Sequence, residues 1–89
     1  MSLSKTFSAL SDENRQKILD LLKEDDMSVS DICKNLNITM ATLSHHLDVL
    51  KRAQLVVSKR NGQQIIYSLN LSVFEDLSKK IIKFLSINK

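Results

Sequence analysis

Small and hydrogen-bonding side chains cluster at the start of a predicted helix that Thr39 caps and that spans residues 40–53. A helix turns by about 100° per residue, so Leu43, Leu47 and Leu50 share one face, which we assign to the core. The opposite face and its flanks carry Ala41, Thr42, Ser44, His45, Asp48, Val49 and Arg52. Small residues allow close approach, and hydroxyl and imidazole groups can bond base edges or phosphates. This face is therefore suited to a DNA major groove.

Two residues of this helix fit DNA contact less well. The carboxylate of Asp48 repels phosphate, although it lies a turn further along, where the helix can already leave the groove. His46 lies at the edge of the buried stripe, and we interpret it as a structural, hydrogen-bonded residue. Taken alone, the helix could simply expose a polar face to solvent. The preceding helix and the hairpin that follows favour contact with DNA.

A β-hairpin is predicted immediately after this helix. Residues 56–57 and 65–67 favour β-strands, and Asn61-Gly62 between them is the preferred pair for a two-residue type I′ turn. The side chains that bracket its tip are Lys59, Arg60, Gln63 and Gln64. They could meet phosphates or the minor groove, and the alternative is an ordinary soluble hairpin tip. A basic hairpin that follows two helices joined by a tight turn predicts a winged helix-turn-helix.

Capping patterns place the other helices. Ser11 is the predicted N-cap of a helix that ends near residues 23–26. Ser28 with Asp31 is typical of a capping box for a helix at 29–36, and Ser72 with Glu75 opens a final helix that reaches about residue 86. With a short helix near residues 3–10, the expected fold is mainly α with a small β-hairpin. It has about five helices plus a wing, in a single domain over residues 1–89.

The two terminal helices are more apolar than a core-facing stripe in a small domain requires. A chain of 89 residues also buries a limited core and gains stability from a partner subunit. We therefore predict a homodimer interface on these helices. Its predicted members are Leu3, Phe7, Phe74, Leu77, Ile81, Phe84 and Leu85. The alternative is a thick local core within one chain.

Composition agrees with a nucleic-acid partner and argues against several other classes. The formal net charge is +3, which is mildly basic. A single Cys allows no intrachain disulfide and indicates a reducing, cytoplasmic environment. The sequence shows neither a signal-peptide pattern nor a long apolar run, so direct membrane insertion is not expected. With no nucleophile–base set and no Gly-rich phosphate loop, we expect no enzyme.

Three segments together carry a family resemblance: ALSDENRQKILDLL at 9–22, SHHLDVLKRAQLV at 44–56 and RNGQQIIYSL at 60–69. In this order and spacing they resemble ArsR-type winged-helix transcriptional repressors over nearly the whole chain. Within that family the chain is similar to small, metal-free autorepressors of the SdpR kind. The resemblance implies a homodimer that is joined through its terminal helices, binds a palindromic operator in double-stranded DNA and blocks transcription.

Several site residues follow from this resemblance by position. The implied DNA contacts are Met40, Ala41, Ser44 and His45, with Lys59, Arg60 and Gln63 in the wing. The outward helix face adds Thr42 and Arg52. The family often has Gln at the position of Met40, which weakens the case for a polar base contact there. Arg15 matches a recurrent family arginine, whose role is either a phosphate contact or a salt bridge to a local carboxylate.

Many members of this family sense metals, and the residues at the matching positions argue against it here. Ser28 and Ser30 stand where one group of sensors has Cys-x-Cys, and hydroxyls do not replace thiolates on a soft metal. The other known site needs a His on the final helix, and residues 72–89 contain none. His45 and His46 are adjacent, so they point about 100° apart and cannot chelate one ion. We expect neither a metal nor a cofactor.

Three alternatives remain open at this point. Cys33 lies on an apolar stripe and is interpreted as structural, but a redox-responsive or metal-responsive repressor is the first alternative. The second is a winged-helix module that binds another protein instead of DNA. The third concerns the signal that relieves repression, which could be a protein partner, including one that sequesters the repressor at a membrane, or simple autoregulation.

Overall fold

The computed structural model describes residues 3–86 of the chain. Within this range the elements are α1 (Leu3–Leu10), α2 (Glu13–Glu24), β1 (Met27–Ser28), α3 (Val29–Leu36), α4 (Met40–Arg52), β2 (Val56–Asn61), β3 (Gln64–Leu69) and α5 (Leu71–Leu85). The predicted five helices and wing are confirmed for this range. Every helix in it is too short or too polar to span a bilayer.

Side-chain caps fix where α3 and α4 begin. The Ser28 hydroxyl accepts a hydrogen bond from the Asp31 N–H at 3.2 Å, and the Thr39 hydroxyl accepts one from the Thr42 N–H at 3.2 Å. Both caps are as predicted. Between the two helices, Asn37 has φ 55°, a left-handed conformation that Asn tolerates and that commonly ends a helix. The turn over residues 37–39 is therefore tightly specified at both ends.

The predicted cap of α2 is wrong by one residue. Asp12 is the N-cap, because its carboxylate accepts a hydrogen bond from the Arg15 N–H at 3.1 Å. The Ser11 hydroxyl instead donates to the Ser8 carbonyl at 2.6 Å, which satisfies the end of α1. Ser and Asp are both good caps, and the tight α1–α2 connection gives each of them one helix end.

The predicted capping box of α5 is also wrong. Asn70 occupies the N-cap position without a side-chain cap bond, and Ser72 lies inside the helix. The start of α5 is set by backbone bonding instead, because the Asn70 N–H donates to the Leu55 carbonyl at 3.0 Å. The backbone next to the ends of β2 and β3, and not a side-chain cap, therefore positions the start of this helix.

The wing is an antiparallel hairpin whose turn differs from the prediction. Asn61 pairs with Gln64, so Gly62 and Gln63 form the turn and not Asn61-Gly62. Gly62 has φ +65°, and Asn61 does not have a positive φ. Gln63 does not have a positive φ either. A positive φ at the first turn residue alone is typical of a type II′ turn, whereas type I′ requires it at both turn residues.

A short strand that the sequence pattern did not reveal completes the sheet. β1 pairs with β3 through Met27–Tyr67 and Ser28–Ile66, which gives the strand order β1-β3-β2. Two residues are too few to show an alternating pattern. Because Ser28 also caps α3, β1 fixes the start of α3 against the wing.

One apolar core holds the helices against the sheet. Leu43, Leu47 and Leu50 of α4 are all buried, which confirms the predicted core face of that helix. The rest of the buried cluster consists of Ala9, Ile18, Leu22, Ile32, Ala53, Leu55 and Val56. Rotation of α4 would expose its leucines to water, so the core determines which face of α4 points outward.

Removal of the Thr39 cap should destabilise the fold. In Thr39→Ala the Thr42 N–H loses its side-chain acceptor, and we expect the free energy of unfolding to fall by about 1 kcal/mol. Urea denaturation at a fixed protein concentration measures this. Asn70→Ala is the matched control, because Asn70 holds the same position on α5 without a cap bond. An equal fall in the free energy of unfolding in the two variants would contradict the role of Thr39 as a stabilising cap.

Candidate nucleic-acid interface

The outward face of α4 presents the side chains that the sequence predicted for DNA contact. The exposed set is Met40, Ala41, Thr42, Ser44, His45 and Arg52. Met40 is 49 % exposed, so an apolar thioether stands at the start of the helix beside the hydroxyl and imidazole groups. The face combines small, apolar and hydrogen-bonding groups, which together can recognise base edges.

Hydrogen bonds and charge define the polar groups of this face more closely. The Thr39 hydroxyl donates to the Thr42 hydroxyl at 2.9 Å, which leaves the Thr42 proton to donate elsewhere. The Arg52 guanidinium pairs with the Asp48 carboxylate. An exposed pair of this kind is weak. It reduces the repulsion expected from Asp48, and Arg52 can still exchange it for a phosphate.

His46 points towards α1 and α2 and not towards solvent. It is 7 % exposed, and its Nδ1 lies 3.2 Å from Nη1 of Arg15 and 3.9 Å from the Asp12 carboxylate. A guanidinium carries only donors, so in the neutral form of the ring Nδ1 accepts this hydrogen bond and Nε2 carries the proton. The predicted structural role of His46 is confirmed.

Arg15 joins three helices through one guanidinium. From α2, its Nε donates to the Ala9 carbonyl at 2.8 Å and its Nη2 to the Ser8 carbonyl at 3.2 Å, both at the end of α1. Its Nη1 donates to His46 on α4. Beside the two roles that the sequence left open, the structure shows a further one, because Arg15 satisfies the last carbonyls of α1 and links them to α4.

The pKa of Asp12, which lies at the junction of α1 and α2, is lowered. The hydrogen bond from the Arg15 N–H lowers the pKa of Asp12 below its ordinary value of 3.8. Partial burial opposes the effect, and the charges of His46 and Arg15 add to it. The ionised form of Asp12 is thus the one that stabilises the start of α2.

The wing tip lies on the same side of the fold as a hollow beside α4. Lys59, Arg60 and Gln63 are exposed. A concave surface of about 510 Å³, here called the wing-side hollow, separates α4 from the wing. Its lining includes Ser30, Ser44, Asp48, Lys51 and Gln63.

Lys51 is a residue of this region that the predicted site omitted. Its Nζ donates to the Ser58 hydroxyl at 2.9 Å, which links the end of α4 to β2. The sequence signal was the basic pair Lys51-Arg52 directly before the hairpin.

The residues proposed or rejected as sensors have ordinary surroundings. The hydroxyls of Ser28 and Ser30 lie 3.3 Å apart. The half-buried Cys33 thiol donates to the Ile38 carbonyl at 3.1 Å. Among residues 3–86, no three His, Cys, Asp or Glu side chains gather closely enough to hold a metal ion.

The terminal helices expose a wide apolar surface. Phe7 is 52 % and Phe84 71 % exposed, and Leu3, Ile81 and Leu85 are exposed with them. Phe74 is half-buried against the core. Leu77 is 5 % exposed, so most of its side chain is already buried within its own chain. Leu71 and Ile82 add to the exposed apolar surface, at 70 % and 60 % exposure.

Known proteins match this chain along most of its length. Residues 12–58 match the family described as "Bacterial regulatory protein, arsR family". The chain is 43 % identical over 84 residues to the transcriptional repressor SdpR of Bacillus subtilis (strain 168), covering 94 % of this chain and 93 % of SdpR. It is 43 % identical over 67 residues to the cadmium resistance transcriptional regulatory protein CadC of Listeria innocua, covering 74 % of this chain and 56 % of CadC.

A solved structure shows the same fold. The homodimeric winged helix-turn-helix DNA-binding domain of a possible ArsR-family regulator from Mycobacterium bovis superposes with a TM-score of 0.74 at 22 % identity. The match covers 92 % of this chain and 82 % of that one. The winged helix-turn-helix fold is therefore confirmed.

Acid should destabilise the fold partly through Asp12. Because its pKa is lowered in the folded state, its contribution is fully present above the ordinary value of 3.8 and is lost as the pH falls through the lower folded value. In Asp12→Asn the amide oxygen can still cap α2 but does not titrate. We expect the free energy of unfolding to fall less steeply below about pH 4 in this variant than in the wild type. Identical acid profiles would contradict the role of Asp12.

Proposed function

This chain belongs to the ArsR family of bacterial regulatory proteins, and we propose that it represses transcription as a homodimer on a palindromic operator, without sensing a metal itself. The observation that carries the proposal is the outward face of α4, where small and hydrogen-bonding side chains are exposed beside a basic wing. The relatives at 43 % identity are named as transcriptional regulators. We further propose that residues 1–89 act as one domain in the cytoplasm.

The proposed reading mechanism places the first turns of α4 in the major groove. Ala41 and the methyl of Thr42 can contact thymine methyl groups, while Ser44 and His45 bond base edges. Met40 adds an apolar contact at the helix start. The positioning contacts to phosphates come from Arg52 on α4 and from Lys59, Arg60 and Gln63 in the wing.

Two copies of the chain make the proposed binding unit. The exposed apolar surface of α1 and α5 is the support within this chain, and the Mycobacterium bovis neighbour is described as homodimeric. Burial of this surface would stabilise both helices. A two-fold axis places the two recognition helices about 34 Å apart, which requires a palindromic operator.

We propose that release of this repressor from DNA does not depend on a metal ion bound to it. Serine hydroxyls at Ser28 and Ser30 are poor ligands for a soft cation, and within residues 3–86 no other metal-binding group forms. We therefore propose that a partner protein relieves repression, with simple autoregulation as the alternative. A metal-responsive repressor remains the second candidate function, because CadC is named for cadmium resistance.

Substitutions in α4 and the wing should affect DNA binding differently. The probe is the duplex upstream of the chain's own coding region, titrated at several salt concentrations against a random duplex. His45→Ala should weaken operator binding by about tenfold and leave random DNA unchanged, because it removes a base contact. Arg60→Ala should weaken both duplexes alike and reduce the salt slope by about 2 per dimer, because it removes a phosphate contact from each subunit.

The matched control is Lys17→Ala on α2, whose exposed ammonium lies 3.5 Å from Glu13. It should bind both duplexes as the wild type does. Equal losses on the two duplexes for His45→Ala and Arg60→Ala would contradict the division of roles. A wild-type chain that binds neither duplex would instead favour the protein-interaction module.

A further inference from the structure

The exposed ridge of α4 has a concave surface on each side. One is the wing-side hollow. The other, here called the α1-side hollow, lies between α4 and α1 and has a volume of about 520 Å³. It is lined by Ser4, Lys5, Ser8, His45, Val49, Arg52 and Ala53. Because His45 and Arg52 belong to the proposed DNA-contact set, this hollow opens beside the same surface.

The dimensions of the major groove suggest what the two hollows would contact. A helix with its side chains is about 10–12 Å across, and the major groove is about 12 Å wide and 8.5 Å deep. A helix that enters the groove therefore has one phosphodiester backbone on each flank. If α4 enters the groove, one backbone would run past the wing-side hollow and the other past the α1-side hollow.

The faces of α1 agree with this use. Thr6 and Ala9 are buried in the core, and Leu3 and Phe7 form the exposed apolar face that we assign to the homodimer. The remaining face, which borders α4, carries Ser4, Lys5 and Ser8. This face therefore places hydroxyl groups and an ammonium beside α4.

We propose that the α1-side hollow is a second cradle for the DNA backbone, in which the Lys5 ammonium and the hydroxyls of Ser4 and Ser8 bind phosphates. This inference rests on the proposed function. Ammonium and hydroxyl groups are common phosphate donors. Among the described residues no carboxylate lines the α1-side hollow, whereas Asp48 lines the wing-side hollow.

With the cradle, each subunit would contact phosphates of both DNA strands in its half of the operator. The contacts of the cradle reach phosphates and not base edges, so they add affinity and salt dependence without sequence preference. They also connect DNA to α1, the helix that carries Leu3 and Phe7 of the proposed subunit interface.

Lys5→Met tests the cradle, because it removes the charge and keeps an unbranched side chain. At salt between about 50 and 200 mM, we expect affinity for operator and random DNA to fall by about tenfold and the salt slope to decrease by about 2 per dimer. Lys5→Arg keeps the charge and should retain the wild-type slope. Lys17→Ala is again the control.

A second pair of variants separates the charge from effects on folding or dimerisation. Ser4→Asp places a carboxylate in the first turn of α1, where the helix dipole favours it, and Ser4→Asn is its neutral match. We expect Ser4→Asp to bind both duplexes more weakly than Ser4→Asn. Sedimentation velocity verifies that each variant is dimeric, and the Ser4 pair decides the result if Lys5→Met has lost its dimer.

The outcomes distinguish this inference from the proposed function. Wild-type affinity and slope in Lys5→Met, with no difference between the Ser4 variants, would overturn the cradle if Arg60→Ala still weakens binding. If the wild type shows no salt-dependent binding to either duplex, both the cradle and the proposed function fail.

Discussion

Burial of Leu43, Leu47 and Leu50 fixes the rotation of α4, and the outward face of α4 and the two hollows beside it depend on that rotation. Each buried leucine contributes about 1.5–3 kcal/mol relative to an exposed one. A half-turn of the helix would therefore cost several kcal/mol and would also bring the exposed side chain of His45 into the core. The apolar stripe thus selects the residues that face a partner, although it touches no partner itself.

The network around Arg15 adds a second constraint, which joins α1 to α4. Its guanidinium holds the last carbonyls of α1 while it donates to the buried ring of His46. Because α1 also carries apolar residues of the proposed subunit interface, one side chain connects the helix that bears them with α4.

Periodicity and spacing predicted most of this fold. The helix at residues 29–36, the core face of α4 and the caps Ser28 and Thr39 were all evident, because they depend on local patterns. The features that the sequence could not settle depend on competition between neighbouring residues for one role, or on contacts between residues far apart in the chain. Ser11 and Asp12 were both able to cap α2. The partners of Arg15 lie on other helices, and no local pattern distinguishes the buried Leu77 from its exposed apolar neighbours.

Amide chemical-shift mapping by NMR tests the central claim most directly, with the isotope-labelled chain titrated with the duplex upstream of its coding region. We expect the largest changes in residues 40–45 and 59–63, at the start of α4 and at the wing tip. Residues 78–85 of α5 should change little, since they face the proposed partner subunit and not DNA. Unchanged amides at 40–45, with large shifts confined to α5, would contradict recognition of DNA by α4.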